Sequence, residues 1–227
     1  MTDFIEFGRT WMPFLLEGVG VTVGLWAVAM VLGFCLALVL VWARVYASKP
    51  LYLLATLYVE VFRGTPMLVQ LFFIYLGLPE IGIVLDPFTA AAVAIGLNSA
   101  AYQAEYFRGA IQSLPSGQMI AARAMGMSRF QALRDIILPQ AGRRVIPQWS
   151  NEAIVELKYT SIAYAIGLTE LTSRAEQVGY QTFQFLEAFT LVAIIYLVLT
   201  GIVAQTLDFV EKRTRVPGLT NSGGKMS

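Results

Sequence analysis

Residues 18–42 contain no Asp, Glu, Lys or Arg, and so long an uncharged run leaves the chain few folds to choose from. As a helix rising 1.5 Å per residue it is about 37 Å long, enough to cross a hydrocarbon core of ~30 Å with some tilt. It is too long for a signal-peptide core, and residues 1–9 lack a basic n-region, so it is expected to stay as a membrane span. Composition agrees. Of the 227 residues, 57% are hydrophobic and 14% are charged, whereas soluble domains carry about 25% charged residues.

Hydropathy divides the chain into five apolar regions, at 18–42, 51–78, 88–107, 145–168 and 188–207. The second is interrupted by Arg63-Gly64-Thr65-Pro66, and Pro66 is expected to break or kink its helix because it has no N–H and clashes with the preceding turn. The fold class is therefore an all-α membrane protein with about five transmembrane helices. Basic residues fix the expected orientation. Arg44 and Lys49 lie between spans one and two. Six arginines (Arg108, Arg123, Arg129, Arg134, Arg143, Arg144) lie around the segment joining spans three and four. Lys212, Arg213, Arg215 and Lys225 follow the last span. The opposite segments hold only Arg9 and Arg174, so the N-terminus is expected outside and the C-terminus inside. One membrane domain is expected over 1–217, followed by a flexible tail, 218–227. Trp11, Trp42 and Trp149 fall near expected span ends, as interfacial anchors do.

Between spans three and four, residues 114–139 carry clear local signals. Pro115 and Ser116 open a helix with Ser116 as its expected N-cap, and Gly126 is suited to a left-handed C-terminal cap. Ser128-Arg129-Phe130-Gln131 forms a capping box that opens a second short helix, which Pro139 is expected to close. Periodicity alone leaves two uses for this hairpin: lying on anionic lipid, or docking on a partner.

Ile120-Ala121-Ala122, Gly126 and Ile137-Leu138-Pro139 resemble the EAA loop of binding-protein-dependent ABC permeases, with Ile120 where that family usually has glutamate. The resemblance extends through the chain in order. Glu60 to Gln70 with its Arg63-Gly64-Thr65-Pro66 core, Ala101-Tyr102-Gln103-Ala104-Glu105 with Arg108-Gly109, Asn151-Glu152, Lys158 with Thr160-Ser161, and Ile166-Gly167 with Glu170-Leu171 are similar to signatures of polar amino-acid uptake permeases. The resemblance implies a coupling role for Ala121, Ala122, Gly126 and Pro139. It also implies a bacterial inner-membrane complex with a second permease chain, ABC ATPase subunits inside and a solute-binding protein outside. ATP and Mg would be bound by the ATPase. This chain has no Gly-x-x-x-x-Gly-Lys-[Ser/Thr] phosphate loop of its own, so it is not expected to be an enzyme and energy must come from a partner if transport is active.

Ionisable residues inside spans are costly and usually face a cavity or a partner. Glu60 with Arg63, and Glu105 with Arg108, have the spacing of intrahelical pairs. Lys158 is compatible with snorkelling, with the opposite subunit or with a carboxylate. Glu152, Glu156 and Tyr159 share one face of span four, and Asn98, Tyr102 and Glu105 share one face of span three at matching depth. Asn98, Tyr102, Glu152 and Glu156 are the expected substrate-binding residues, for an amino acid at mid-membrane. Hydrogen bonds that hold the bundle together are the alternative use of the same faces. Glu152 matches the family pattern, whereas Glu156 replaces a commoner apolar residue and Tyr159 a commoner acid.

The absence of His, a single Cys (Cys35) and a net charge of +1 exclude histidine metal sites, an intrachain disulfide and a nucleic-acid surface. A passive channel would leave the hairpin without a task, and a non-transporting scaffold would reduce the polar faces to inter-helix contacts.

Overall fold

A computed structural model describes residues 2–214, and among these there are nine α-helices and no strand. The first helix, α1 (Thr2–Tyr46), is 45 residues long and overshoots the uncharged run at both ends. Its extra N-terminal turns have a core of their own. Phe7 and Leu15 pack against Leu171, Ala175 and Val178 of α8 (Leu171–Thr182) and Leu191 and Val192 of α9 (Phe185–Thr214). That burial holds the helix together through Pro13, and it sets Trp11 edge-on to Phe14 within α1.

After α1 the chain forms α2 (Lys49–Gly64) and α3 (Met67–Phe72), the latter running on as a π turn (Phe73–Gly77) and a 3₁₀ turn (Leu78–Ile81). The expected break is present and sharper than a kink: the axes before and after Thr65 and Pro66 differ by 110°. Thr65 is extended (φ −115°, ψ 147°) because the ring of Pro66 disfavours helix in the preceding residue. The Gln70 amide covers the freed carbonyls, donating to Phe62 O at 2.8 Å and Thr65 O at 3.0 Å.

Helix α4 (Pro87–Gln112) starts at an Asp86 N-cap, whose carboxylate accepts from the N–H groups of Phe88 and Thr89. Hydrogen bonds to Thr89 hold the Asp86 carboxyl below its ordinary pKa. Ala92, Gly96, Ala100 and Ala104 recur every fourth residue and lie against α1, near Ala29 and Ala37. A Cβ on Gly96 would stand 3.2 Å from the Ala29 carbonyl oxygen, so the two backbones approach as closely as small residues permit.

The hairpin α5 (Ser116–Ala124) and α6 (Arg129–Ala132) leads through a π turn (Leu133–Ile137) into α7 (Leu138–Tyr159). A 3₁₀ segment (Thr160–Ile166) follows, and then α8, which hydropathy does not signal. Glu170, fully buried, explains where α8 starts: its carboxylate accepts from Ser173 N at 2.9 Å and from the Tyr196 hydroxyl of α9 at 2.9 Å.

Two helices, α1 and α9, are long and apolar enough to cross a membrane alone, and the bent α2–α3 pair makes a third if it counts as one span. Helices α4 and α7, with 26 and 22 residues, reach about 39 and 33 Å. Much of their polar character is turned inward: Asn98, Ser99, Gln103, Ser150, Glu152 and Glu156 are all buried. The proposed tail, 218–227, and Arg215 lie outside the described residues.

Candidate functional site

The polar residues of α4 and α7 meet in a buried seam. Glu156 is 1% exposed, and its Oε2 accepts from the Ser99 hydroxyl at 2.9 Å. Gln103 Nε2 donates to Ser99 Oγ at 2.9 Å, and Trp149 Nε1 donates to Gln103 Oε1 at 2.8 Å. One turn along α7, Glu152 Oε2 accepts from the Tyr106 hydroxyl at 3.2 Å. The depth match expected between spans three and four is therefore present, since Ser99 and Glu156 touch.

The face of α4 is not the expected one. Ser99, Gln103 and Tyr106 meet α7, while Asn98, Tyr102 and Glu105, one residue or about 100° around the helix, face elsewhere. Asn98 Nδ2 donates to Phe62 O and to Gln70 Oε1, both at 3.0 Å, stitching α4 to the corner between α2 and α3. Tyr102 lies under the Arg63 guanidinium, 5.4 Å from ring centroid to Cζ. The four expected residues thus form two groups, Glu152 with Glu156 and Asn98 with Tyr102. Sequence reasoning missed Ser99, Gln103, Tyr106 and Trp149. Ser99, Gln103 and Tyr106 have the same i, i+4, i+7 spacing as the set that was chosen, so periodicity contained them without ranking them. Trp149, expected near a span end, sits well inside α7.

Two buried carboxylates one helical turn apart suit a cation. Glu156 Oε1 is buried without a hydrogen-bond partner, and a buried anionic oxygen is stabilised by an ammonium or guanidinium group.

Glu105 anchors a second polar cluster. It hydrogen-bonds Arg44 of α1 and Arg108 (2.6 Å to Nη2), and Arg63 of α2 stands 3.9 Å away. The Glu105–Arg108 pair is the intrahelical one expected. Glu60 and Lys158, both exposed, make no ion pair among the described residues, and Arg63 turns away from Glu60 toward Glu105 and Tyr102.

In the hairpin, Gly126 adopts φ +86°, as its capping role requires, and the Ser128–Gln131 capping box is complete. Two details differ from expectation. Ser116 is the first helical residue, and Pro115 holds the cap position, because the Pro115 carbonyl already accepts from Gln118 N. Pro139 does not close a helix but lies in the first turn of α7, where its missing N–H is tolerated. The π turn just before it relieves the clash its ring would make with the carbonyl four residues back. Ala122 and Ala132 are buried inside the hairpin, while Ala121 faces out beside Ile120, Met125 and Phe130. The last three are 68%, 73% and 68% exposed. An apolar tip on a well-capped hairpin is suited to insertion into a partner's groove.

An all-helical bundle with two long apolar helices, a buried polar seam and a projecting helical hairpin has the fold of an ABC permease. The chain belongs to the family described as "binding-protein-dependent transport system inner membrane component", which matches residues 14–216. Membership implies ATPase and solute-binding partners. The arginine transport system permease protein ArtQ of Bacillus subtilis is 37% identical over 205 residues, covering 90% of this chain and 94% of that protein. The glutamine transport system permease protein GlnP of Escherichia coli K12 is 37% identical over 207 residues, with the same coverages. A crystal structure described as an amino acid ABC transporter with histidines superposes with a TM-score of 0.88 at 37% identity, covering 94% of this chain and 99% of that one.

Proposed function

We propose that this chain is the membrane-spanning subunit of an ATP-driven importer that carries a polar amino acid, with a preference for basic side chains, across a bacterial cytoplasmic membrane. The observation that carries the reading is the Glu152–Glu156 pair, buried at matching depth with α4. The relatives' names, arginine and glutamine permeases, support the substrate class. Every amino acid brings one ammonium group, and a basic side chain brings a second cation for the second carboxylate. Asn98 and Tyr102, placed at the α2–α3 corner, line the path beside the seam and shape it. Five spans, with the N-terminus outside, put the hairpin and most basic residues on the cytoplasmic side. There the tip of Ile120, Met125 and Phe130 docks on the ATPase, with Ala121 on its outer face, Ala122 packed within and Gly126 and Pro139 shaping its two turns. A second permease chain, identical or not, completes the pathway, and a solute-binding protein delivers substrate from outside.

The test is Glu156→Gln, which keeps the shape and removes the charge. Uptake of arginine by the reconstituted complex falls more than uptake of glutamine, while assembly and basal ATP hydrolysis persist. Wild-type rates for both substrates refute the site. Uptake that survives ATP depletion in the wild-type complex refutes the importer reading in favour of a passive channel.

A further inference from the structure

Arg63 stands at the α2–α3 corner, yet the corner does not use it. The freed carbonyls there, Phe62 O and Thr65 O, are covered by the Gln70 amide. Among the described residues the one carboxylate near Arg63 is Glu105, and both of its oxygens are already taken. Oε1 accepts from Arg44 and from Arg108 Nε, and Oε2 accepts from Arg108 Nη2 at 2.6 Å. Arg63 Nη1 is left 3.9 Å from Oε2, too far for a hydrogen bond. Glu60, three residues back on α2, is exposed and makes no ion pair among the described residues. A guanidinium inside the bundle, its side chain 39% exposed, is therefore without a committed anion.

An aromatic ring holds it in place. Arg63 Cζ lies 5.4 Å from the centroid of the Tyr102 ring, and a guanidinium over a ring keeps the N–H groups of its edge free for a two-pronged acceptor. Tyr102 occupies the strip of α4 between α2 and α7. Four residues turn a helix through about 400°, so Asn98, Tyr102 and Tyr106 step about 40° at a time around α4. The first of them bonds Phe62 O of α2, and the last bonds Glu152 of α7. Along the axis Tyr102 stands about 4.5 Å from Ser99, which holds Glu156, and about 6 Å from Tyr106, which holds Glu152. Arg63 thus faces the strip from α2, at a height between the two carboxylates that reach α4 from α7. One cation opposite two anions is the complement of a basic amino acid, which carries one carboxylate and two cations.

We propose that Arg63 is the carboxylate receptor of the transport site. Its guanidinium takes the α-carboxylate of the amino acid beside the Tyr102 ring, while the ammonium and side-chain cations lie toward Glu152 and Glu156. The assignment rests on the reading of those two acids as the cation side of the site, and it adds a selection that they lack. Two acids alone accept any diamine. Arg63 rejects a cation that has no carboxylate, because its own charge then stays unpaired and repels the ligand. The arginine sets the class of substrate, and the acids set the side chain.

The experiment uses the assembled permease–ATPase complex in nanodiscs without the solute-binding protein, so that only the membrane site selects. Equilibrium binding of radiolabelled L-arginine and L-argininamide is measured at about pH 6, where the α-ammonium of both stays charged. The amide replaces the α-carboxylate by a neutral group. The parent complex binds arginine about ten-fold or more tightly than argininamide, as loss of a charge-assisted hydrogen-bonded pair requires. Arg63→Gln binds arginine as weakly as the parent binds argininamide, and binds argininamide no less tightly, so the ratio falls to about one. Arg63→Lys keeps the charge without the fork and restores part of the ratio. Glu156→Gln weakens both ligands and keeps the ratio, so the two assignments fail separately. Unchanged binding by Glu156→Gln sinks the acid pair, whereas an unchanged ratio in Arg63→Gln sinks the carboxylate receptor. Equal loss of both ligands in Arg63→Gln also overturns it, because the arginine then acts only on the shape of the corner. A parent complex that binds the two ligands equally, or neither, overturns it outright.

Discussion

Replacing Glu105 by Gln tests whether the arginine cluster is a buried ion pair or a screened surface network. Its most buried partner, Arg44, has a side chain 7% exposed, and Glu105 itself is 16% exposed. Removing one member of such a pair leaves an uncompensated buried charge, at a cost of about 3–5 kcal/mol. The other two contacts weigh less. Arg108 is 28% exposed and Arg63 is 39% exposed at 3.9 Å, and exposed ion pairs contribute about 0–1 kcal/mol. A glutamine keeps one acceptor for Arg44, so the expected loss is at the lower end, about 3 kcal/mol. Adding Arg44→Met removes the orphaned cation, and the double variant returns to within about 1 kcal/mol of the parent protein. Reversible denaturation in micelles, followed by circular dichroism on the four proteins of this cycle, measures both numbers. A loss below 1 kcal/mol for the single variant, or a double variant as unstable as the sum of its parts, refutes a buried pair.

Gly126→Val forces a β-branched residue into positive φ, a strain of about 1–2 kcal/mol or more confined to the hairpin turn. Membrane insertion is unaffected, and ATPase association and transport fall, as co-purification and uptake assays measure. Asn98→Leu leaves Gln70 Oε1 without a donor and the Phe62 carbonyl with Gln70 Nε2 alone, at about 1–3 kcal/mol for the orphaned acceptor, so thermal stability drops and the α2–α3 corner becomes open to proteolysis. With Cys35 replaced by Ser, cysteines at positions 80 and 174 react with an impermeant reagent from outside intact cells, and those at 128 and 212 do not. Labelling of position 128 from outside refutes the orientation.

Elements set by local chemistry were legible in the chain itself. The break at Pro66, the left-handed Gly126 and the Ser128–Gln131 box each depend on a few neighbouring residues, and each is where it was expected. The residues that need a partner far along the chain were less legible. At Ser116 and Pro139 the exact helix start is also less legible, for a local reason: the neighbouring Pro115 carbonyl and the π turn decide where those helices begin. Helix α8 has no hydropathy signal, and its cap, Glu170, is held by Tyr196 of another helix.

The sequence alone determined that this chain is a helical membrane protein of the permease family, because an uncharged run fixes a span and short motifs fix a family. It also placed two carboxylates, Glu152 and Glu156, on one face of α7, since a period of 3.6 residues is enough to show that. It did not determine which residues of α4 lie opposite. Asn98 with Tyr102 and Ser99 with Gln103 are equally periodic, and only the close α1–α4 packing at Gly96, together with the 110° corner that takes up Asn98, rotates α4 so that Ser99 meets Glu156. A helix's own sequence specifies its faces. Which face meets which neighbour depends on how closely the backbones approach, and that is settled by residues from several helices at once.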